Sequence, residues 1–177
     1  MQVVLASGHM TDSAERSAAR IPEASVDHVR KEITRQLQRW NVGEGDLLIC
    51  GGARGADLIA AEEGLALAAS VRLCLALPRE EFVSRAVELA DSDWLQRFES
   101  VERRSEVRRL GVDPGPANIF GIANQWMVDQ ALALEATKRY ALIVWDGREP
   151  DGPGGSAQMA SLAAQHRLQM YIIDPTP

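Results

Sequence analysis

Cysteine is nearly missing from this chain: 177 residues contain two, Cys50 and Cys74. Each lies inside an apolar run, so buried free thiols in a reducing compartment are expected rather than a disulfide. Basic residues are outnumbered, with 19 Lys and Arg against 25 Asp and Glu and a formal net charge of -6. Sequence-independent binding to a phosphate backbone needs clustered positive charge, so no nucleic-acid partner is expected. The one arginine cluster, Arg97, Arg103, Arg104, Arg108 and Arg109, is interleaved with Glu99, Glu102 and Glu106. It reads as a solvated helix face. No apolar stretch reaches membrane-spanning length, and Met1-Gln2-Val3-Val4-Leu5 lacks the basic segment and apolar core of a signal peptide. A cytoplasmic protein with no membrane partner is the expectation. Internal repeats and low-complexity segments are absent too.

What is present is ordinary globular composition, 46% hydrophobic and 25% charged. The length suits one domain over residues 1–177. Five apolar runs stand out: Val3 to Ala6, Leu47 to Cys50, Val71 to Leu77, Ala141 to Trp145 and Met170 to Ile173. None alternates strictly, the pattern of strands buried on both faces. Helical patterns separate them. Val26, Val29, Ile33, Leu37 and Trp40 fall at spacings of three and four, Leu58 to Leu67 is alanine-rich, and Phe120 to Leu134 is apolar on neighbouring helical positions. Strands alternating with helices imply an α/β, Rossmann-like open parallel sheet of about five strands with helices on both faces. Ligands of such sheets sit outside the carboxyl ends of the strands, where strand order reverses, so the loops after the strands carry the function.

Three of those loops have the right chemistry. After the first strand, Ser7, Gly8 and His9 combine small residues with hydrogen-bonding groups, and Arg16 and Arg20 follow with guanidinium forks suited to phosphate. After the second, Gly51-Gly52-Ala53-Arg54-Gly55-Ala56-Asp57 turns from strand to helix. Its glycines allow positive φ and close approach, its amides and the helix dipole favour an anion, and Asp57 reads as the helix N-cap. It matches neither the P-loop nor the spaced glycines of the dinucleotide fingerprint. After the fourth, Asp146-Gly147 leads to Pro153-Gly154-Gly155-Ser156, where Ser156 is a natural N-cap and the Gly154, Gly155 and Ser156 amides suit a second anionic group. Asp146 suits ribose hydroxyls. The candidate ligand-binding set is therefore Ser7, Gly8, His9, Arg16, Gly51, Gly52, Arg54, Gly55, Asp57, Asp146, Gly147, Gly154, Gly155 and Ser156. No catalytic residue, metal or cofactor is assigned.

The Gly-Gly-Ala-Arg-Gly-Ala-Asp turn, with Ala60, Ala61 and Glu62 behind it, resembles the SLOG superfamily of Rossmann-like domains, as does Ser7 to Asp12. Pro153-Gly154-Gly155-Ser156 corresponds in position to the Pro-Gly-Gly motif of its LONELY GUY branch. The resemblance implies a nucleotide or nucleotide-derived ligand, in a phosphoribohydrolase or in a sensor of bacterial signalling or defence. The enzymatic branch continues its motif with Gly-Thr and acidic residues, whereas Ser156 to Ser161 holds no carboxylate. The Arg-Lys pair of the preceding helix is missing as well. Glycosidic cleavage needs a group that stabilises an oxocarbenium-like centre, and Glu62 or Glu63 reads as solvated. A non-catalytic ligand-binding domain is thus the leading expectation, with a phosphoribohydrolase and a structural docking module as rivals. The family's habit of pairing through helices, together with the apolar residues of Phe120 to Leu134, implies a homodimer.

Overall fold

A computed structural model describes residues 1–13, 19–112, 117–148 and 154–176. Six parallel strands form one sheet: β1 (Gln2–Gly8), β2 (Leu47–Cys50), β3 (Ser70–Leu75), β4 (Glu106–Arg109), β5 (Lys138–Val144) and β6 (Gln169–Ile173). Their order is β4-β3-β2-β1-β5-β6. The chain steps outward from β1 to β4, then returns to the other side of β1 for β5 and β6. Strand order therefore reverses between β1 and β5, whose register runs from Gln2 opposite Lys138 to Gly8 opposite Val144.

Alternation along β1 shows how both faces are covered. Val4 and Ala6 join a core with α1 (Val26–Arg39), α2 (Ala56–Ala66) and α4 (Trp94–Glu102). Val3 and Leu5 join the opposite core with α5 (Ile119–Leu132) and α6 (Ser156–Gln165). A short helix α3 (Arg79–Phe82), continued by a wider turn over Val83–Val87, closes the carboxyl end of β3. Cys50 and Cys74 are buried in different cores, so each thiol is free. No helix among the described residues is long and apolar enough to cross a membrane.

The α/β fold class is as the apolar runs imply, with one strand more than the five expected. The extra strand, β4, comes from the Arg/Glu-rich stretch expected to be wholly helical. That stretch divides: Trp94–Glu102 is helix, and Glu106–Arg109 pairs with β3. An edge strand needs no apolar run, because charges there deter pairing with other chains. Its anchor is electrostatic: the buried Arg72 of β3 donates through Nε to Glu106 Oε2 at 2.7 Å.

Candidate functional site

A cavity of about 360 Å³ opens at the carboxyl ends of β1, β2 and β3, between the first turns of α5 and α6. It lies at the reversal of strand order, the usual ligand position in open sheets. Ser7, Gly8 and His9 line it from β1, Gly51, Ala53 and Asp57 from the β2 turn, and Gly154, Gly155 and Ser156 from the start of α6. Three separate loops of the candidate set therefore meet in one space. Gly52, Arg54, Gly55, Asp146 and Gly147 do not line it. Arg16 falls outside the described residues, as does Pro153.

The glycine turn after β2 is spent on its own neighbours. Gly52 has φ +84°, and a Cβ there would face Leu73, Leu75 and Phe98 in the core. Gly55, at φ +92°, presses against the β1 loop so closely that a Cβ would come within 2.6 Å of the Thr11 nitrogen. The next amide, Ala56, donates to the His9 carbonyl at 3.2 Å. Arg54 points away from the cavity, donating through Nε to the Thr11 carbonyl (3.1 Å) and through Nη1 to the Glu88 carbonyl (3.2 Å). It staples two loops together.

Asp57 is not the N-cap; Gly55 is. The Asp57 carboxyl instead lies beneath the turn, with amides of Ala53, Gly51, Gly52 and Gly8 bonded to it. Burial outweighs those amides and pushes its pKa up to about 7. The donors that were expected to meet a phosphate already have an acceptor inside the protein.

The opposite wall is the start of a helix. Gly155, not Ser156, is the N-cap of α6, and no side chain caps the helix. Ser156 is its first residue, so the amides of Ser156 and Ala157 have no acceptor within the helix and carry the positive end of its dipole. Buried Asn124, on α5, holds the preceding turn: its Nδ2 donates to the Gly154 carbonyl (2.9 Å) and to Gln158 Oε1 (3.2 Å). Gly154 fits flat on α5, where a Cβ would lie 2.5 Å from the Gly121 nitrogen.

Behind this wall sits a polar cluster. His9 Nε2 is 3.0 Å from Asp146 Oδ1, and Arg20 Nη1 is 2.9 and 3.2 Å from the two Asp146 oxygens. The Arg148 amide adds a bond at 3.0 Å. Ser156 Oγ lies 3.4 Å from His9 Nδ1. Burial pushes Asp146 up, but the Arg148 amide, His9 and Arg20 outweigh it and hold the carboxyl below its ordinary range. Asp146 is therefore an anion fixed in place.

The rest of the wall is apolar, with Phe82 and Phe120 at one end and Met127 and Ala123 along α5. Cys74 also lines the cavity, yet burial drives its pKa up to about 12. It stays a thiol and is no nucleophile at neutral pH. Glu62 and Glu63 lie elsewhere, paired with Arg30, and Glu62 also with Arg97. Among the described residues no group of three His, Cys, Asp or Glu is placed to hold a metal ion.

Sequence reasoning found the three loops and missed the residues that complete the space. Arg20 was visible as a phosphate-type arginine, but its carboxylate partner is 126 positions away. Asn124 and the aromatic wall sit inside helical patterns that look like plain core.

No protein-family model matches this chain, and no curated protein does. Among solved structures it is similar to DNA processing protein A (DprA) from Streptococcus pneumoniae, with a TM-score of 0.56 at 12% identity. That match covers 98% of this chain and 50% of DprA, so the chain spans half of that protein. It is also matched to the Moco carrier protein of Chlamydomonas reinhardtii, with a TM-score of 0.35 at 12% identity over 98% of this chain and 90% of that one. The likeness to DprA shows the fold alone, a Rossmann-like α/β sheet.

Proposed function

We propose that the cavity binds a nucleotide or nucleotide-derived small molecule, with its anionic end at the first turn of α6 and its base against Phe82 and Phe120. The observation that carries this reading is the pairing, in one cavity at the strand-order reversal, of helix-start amides that have no acceptor within their helix with an aromatic wall. Because Asp57 takes the amides of the Gly51 turn, the phosphate is assigned to Ser156 and Ala157. A ligand-sensing role in bacterial signalling or defence, in a cytoplasmic protein of one domain, fits this assignment. DprA is by its name a DNA-processing protein; the net charge of -6 supports a small molecule over nucleic acid here. Half-buried Ile122 and Trp126 on α5 support a homodimer, which light scattering would check by mass.

The test is thermal melting against mononucleotides, dinucleotides, ADP-ribose forms and cyclic nucleotides. At a hundredfold excess over Kd a ligand adds about 2.7 kcal/mol, a shift of roughly 5 to 10 °C for a chain of this size. Ala157→Glu is the deciding variant. A carboxylate in the first turn suits the helix dipole, so the fold tolerates it, while an anionic ligand is repelled. A panel without any shift, or a shift that survives Ala157→Glu, defeats the reading.

A further inference from the structure

We propose that Ser156, His9 and Asp146 form a nucleophilic relay and that this cavity hydrolyses small carboxylic esters. The inference goes beyond nucleotide binding and does not depend on it. Three distant segments bring the groups into line: Ser156 Oγ to His9 Nδ1 at 3.4 Å, and His9 Nε2 to Asp146 Oδ1 at 3.0 Å. A serine at a helix start usually serves as its cap. Ser156 does not, since Gly155 holds that position, and its hydroxyl faces the imidazole instead.

The relay uses the tautomer with the proton on Nε2. An ionised carboxylate only accepts, and at 3.0 Å Asp146 Oδ1 claims the proton of Nε2. The Asp146 amide also approaches Nε2, but at 3.4 Å it is the weaker competitor. With Nε2 protonated, Nδ1 carries the lone pair, and it is Nδ1 that faces the serine. That is the state a general base requires, with the carboxylate orienting the ring and offsetting the imidazolium charge. Arg20 and the Arg148 amide fix the carboxylate, so Asp146 is the positioning residue of the set. The two nitrogens of the His9 ring are used in the opposite sense from the usual hydrolase order, which imidazole permits because either nitrogen can carry the proton.

In the first step Ser156 Oγ attacks the ester carbonyl carbon, and its proton passes to His9 Nδ1. The carbonyl π pair moves onto oxygen, where the Ser156 and Ala157 amides are the available donors. The oxyanion collapses, the bond from carbon to the alcohol oxygen breaks, and the alcohol leaves with the proton from Nδ1. Water then attacks the acyl-serine, giving its proton to Nδ1. The second oxyanion collapses with release of the acid, and Oγ regains the proton. Phe120 and Met127 supply an apolar seat for the acyl group.

The experiment uses the full chain, p-nitrophenyl acetate as substrate and diisopropyl fluorophosphate as a covalent probe. A single adduct on Ser156, located by peptide mass spectrometry, is expected, with p-nitrophenolate release that the adduct abolishes. Ser156→Ala and His9→Ala should each lower that release by roughly a hundredfold or more. Asp146→Glu should keep measurable adduct formation where Asp146→Ala keeps none, an ordering that mere loss of stability would not produce in variants shown by melting to be folded. Labelling of the unaltered chain needs no variant to fold. No adduct on Ser156, or one that forms equally fast in folded His9→Ala, overturns the relay. Nucleotide-induced melting shifts would be unaffected by that failure, so the two readings fall separately.

Discussion

The Asp57 carboxylate lies so close under Gly51 that a Cβ on that glycine would stand 2.8 Å from Oδ2. This seats a buried acid where a phosphate was expected, and its pKa of about 7 makes it a proton store of the folded state. Unfolded, an aspartate titrates near 3.9. Between about pH 4 and 7 the folded chain therefore binds the additional proton. Stability from this group is fully present below pH 4 and is lost as pH rises to 7, by on the order of 4 kcal/mol. Urea midpoints of the parent and Asp57→Asn, measured from pH 4 to 8, should converge or cross as pH rises. Parallel profiles would mean that Asp57 does not titrate in that window.

Two glycines of the candidate set separate close packing from mere turn geometry. Gly55 and Gly147 both have positive φ, +92° and +74°. A Cβ on Gly147 meets nothing within 4 Å, whereas one on Gly55 meets backbone at 2.6 Å. Gly147→Ala should cost about 1 to 2 kcal/mol, the left-handed penalty alone. Gly55→Ala adds a collision that neither chain segment can relieve by rotating a side chain, and should exceed about 4 kcal/mol. Denaturant midpoints rank the pair, and equal losses would contradict the packing described.

The pair of Arg20 and Asp146 is nearly sealed, with side chains 8% and 5% exposed. Removing one partner of a buried pair leaves an uncompensated charge, at about 3 to 5 kcal/mol. Arg20→Ala should cost near the lower figure, because His9 and the Arg148 amide still hold the carboxylate. Asp146 has a depressed pKa in the fold, so its stabilisation is present above about pH 4 and lost as pH falls through the folded value. The deficit of Arg20→Ala should accordingly shrink in acid. A deficit independent of pH would assign the effect to lost packing of the arginine stem.

The fold was legible because strands announce themselves as apolar runs: β1, β2, β3 and β5 are largely buried, and β6 is an apolar run at the sheet's edge that leaves Met170 and Ile172 exposed. β4 was not, since Glu106-Val107-Arg108-Arg109 lies at the sheet's edge and owes its place to pairing with β3. Among the site residues, those at strand ends could be read from local chemistry. The partners could not: whether Arg54 reaches a ligand or the Thr11 carbonyl, and whether Asp57 caps a helix or fills a turn, depends on segments brought together only by folding. Asn124 is the clearest case, a polar residue in an apolar helical pattern whose acceptors lie 30 and more positions away.

Asn124 therefore offers a direct test of how the α6 wall is built. Its Nδ2 faces three acceptors, the carbonyls of Gly154 (2.9 Å) and Gly155 (3.4 Å) and Gln158 Oε1 (3.2 Å). Asn124→Ala deletes the donor and leaves buried acceptors unpaired, at about 1 to 3 kcal/mol. Asn124→Asp is nearly the same shape but presents an acceptor to acceptors. It must either take up a proton or push the turn away, so it should destabilise more than the alanine variant at neutral pH and recover in acid as the carboxyl protonates. The damage should also be local. Amide hydrogen exchange at Gln158 and Met159, which donate to the Gly155 carbonyl, should quicken well before that of β1 and β5, because the turn opens without unfolding the sheet. If Asn124→Asp is no worse than Asn124→Ala at neutral pH, or if exchange quickens uniformly, Asn124 is not the clasp of the α6 turn.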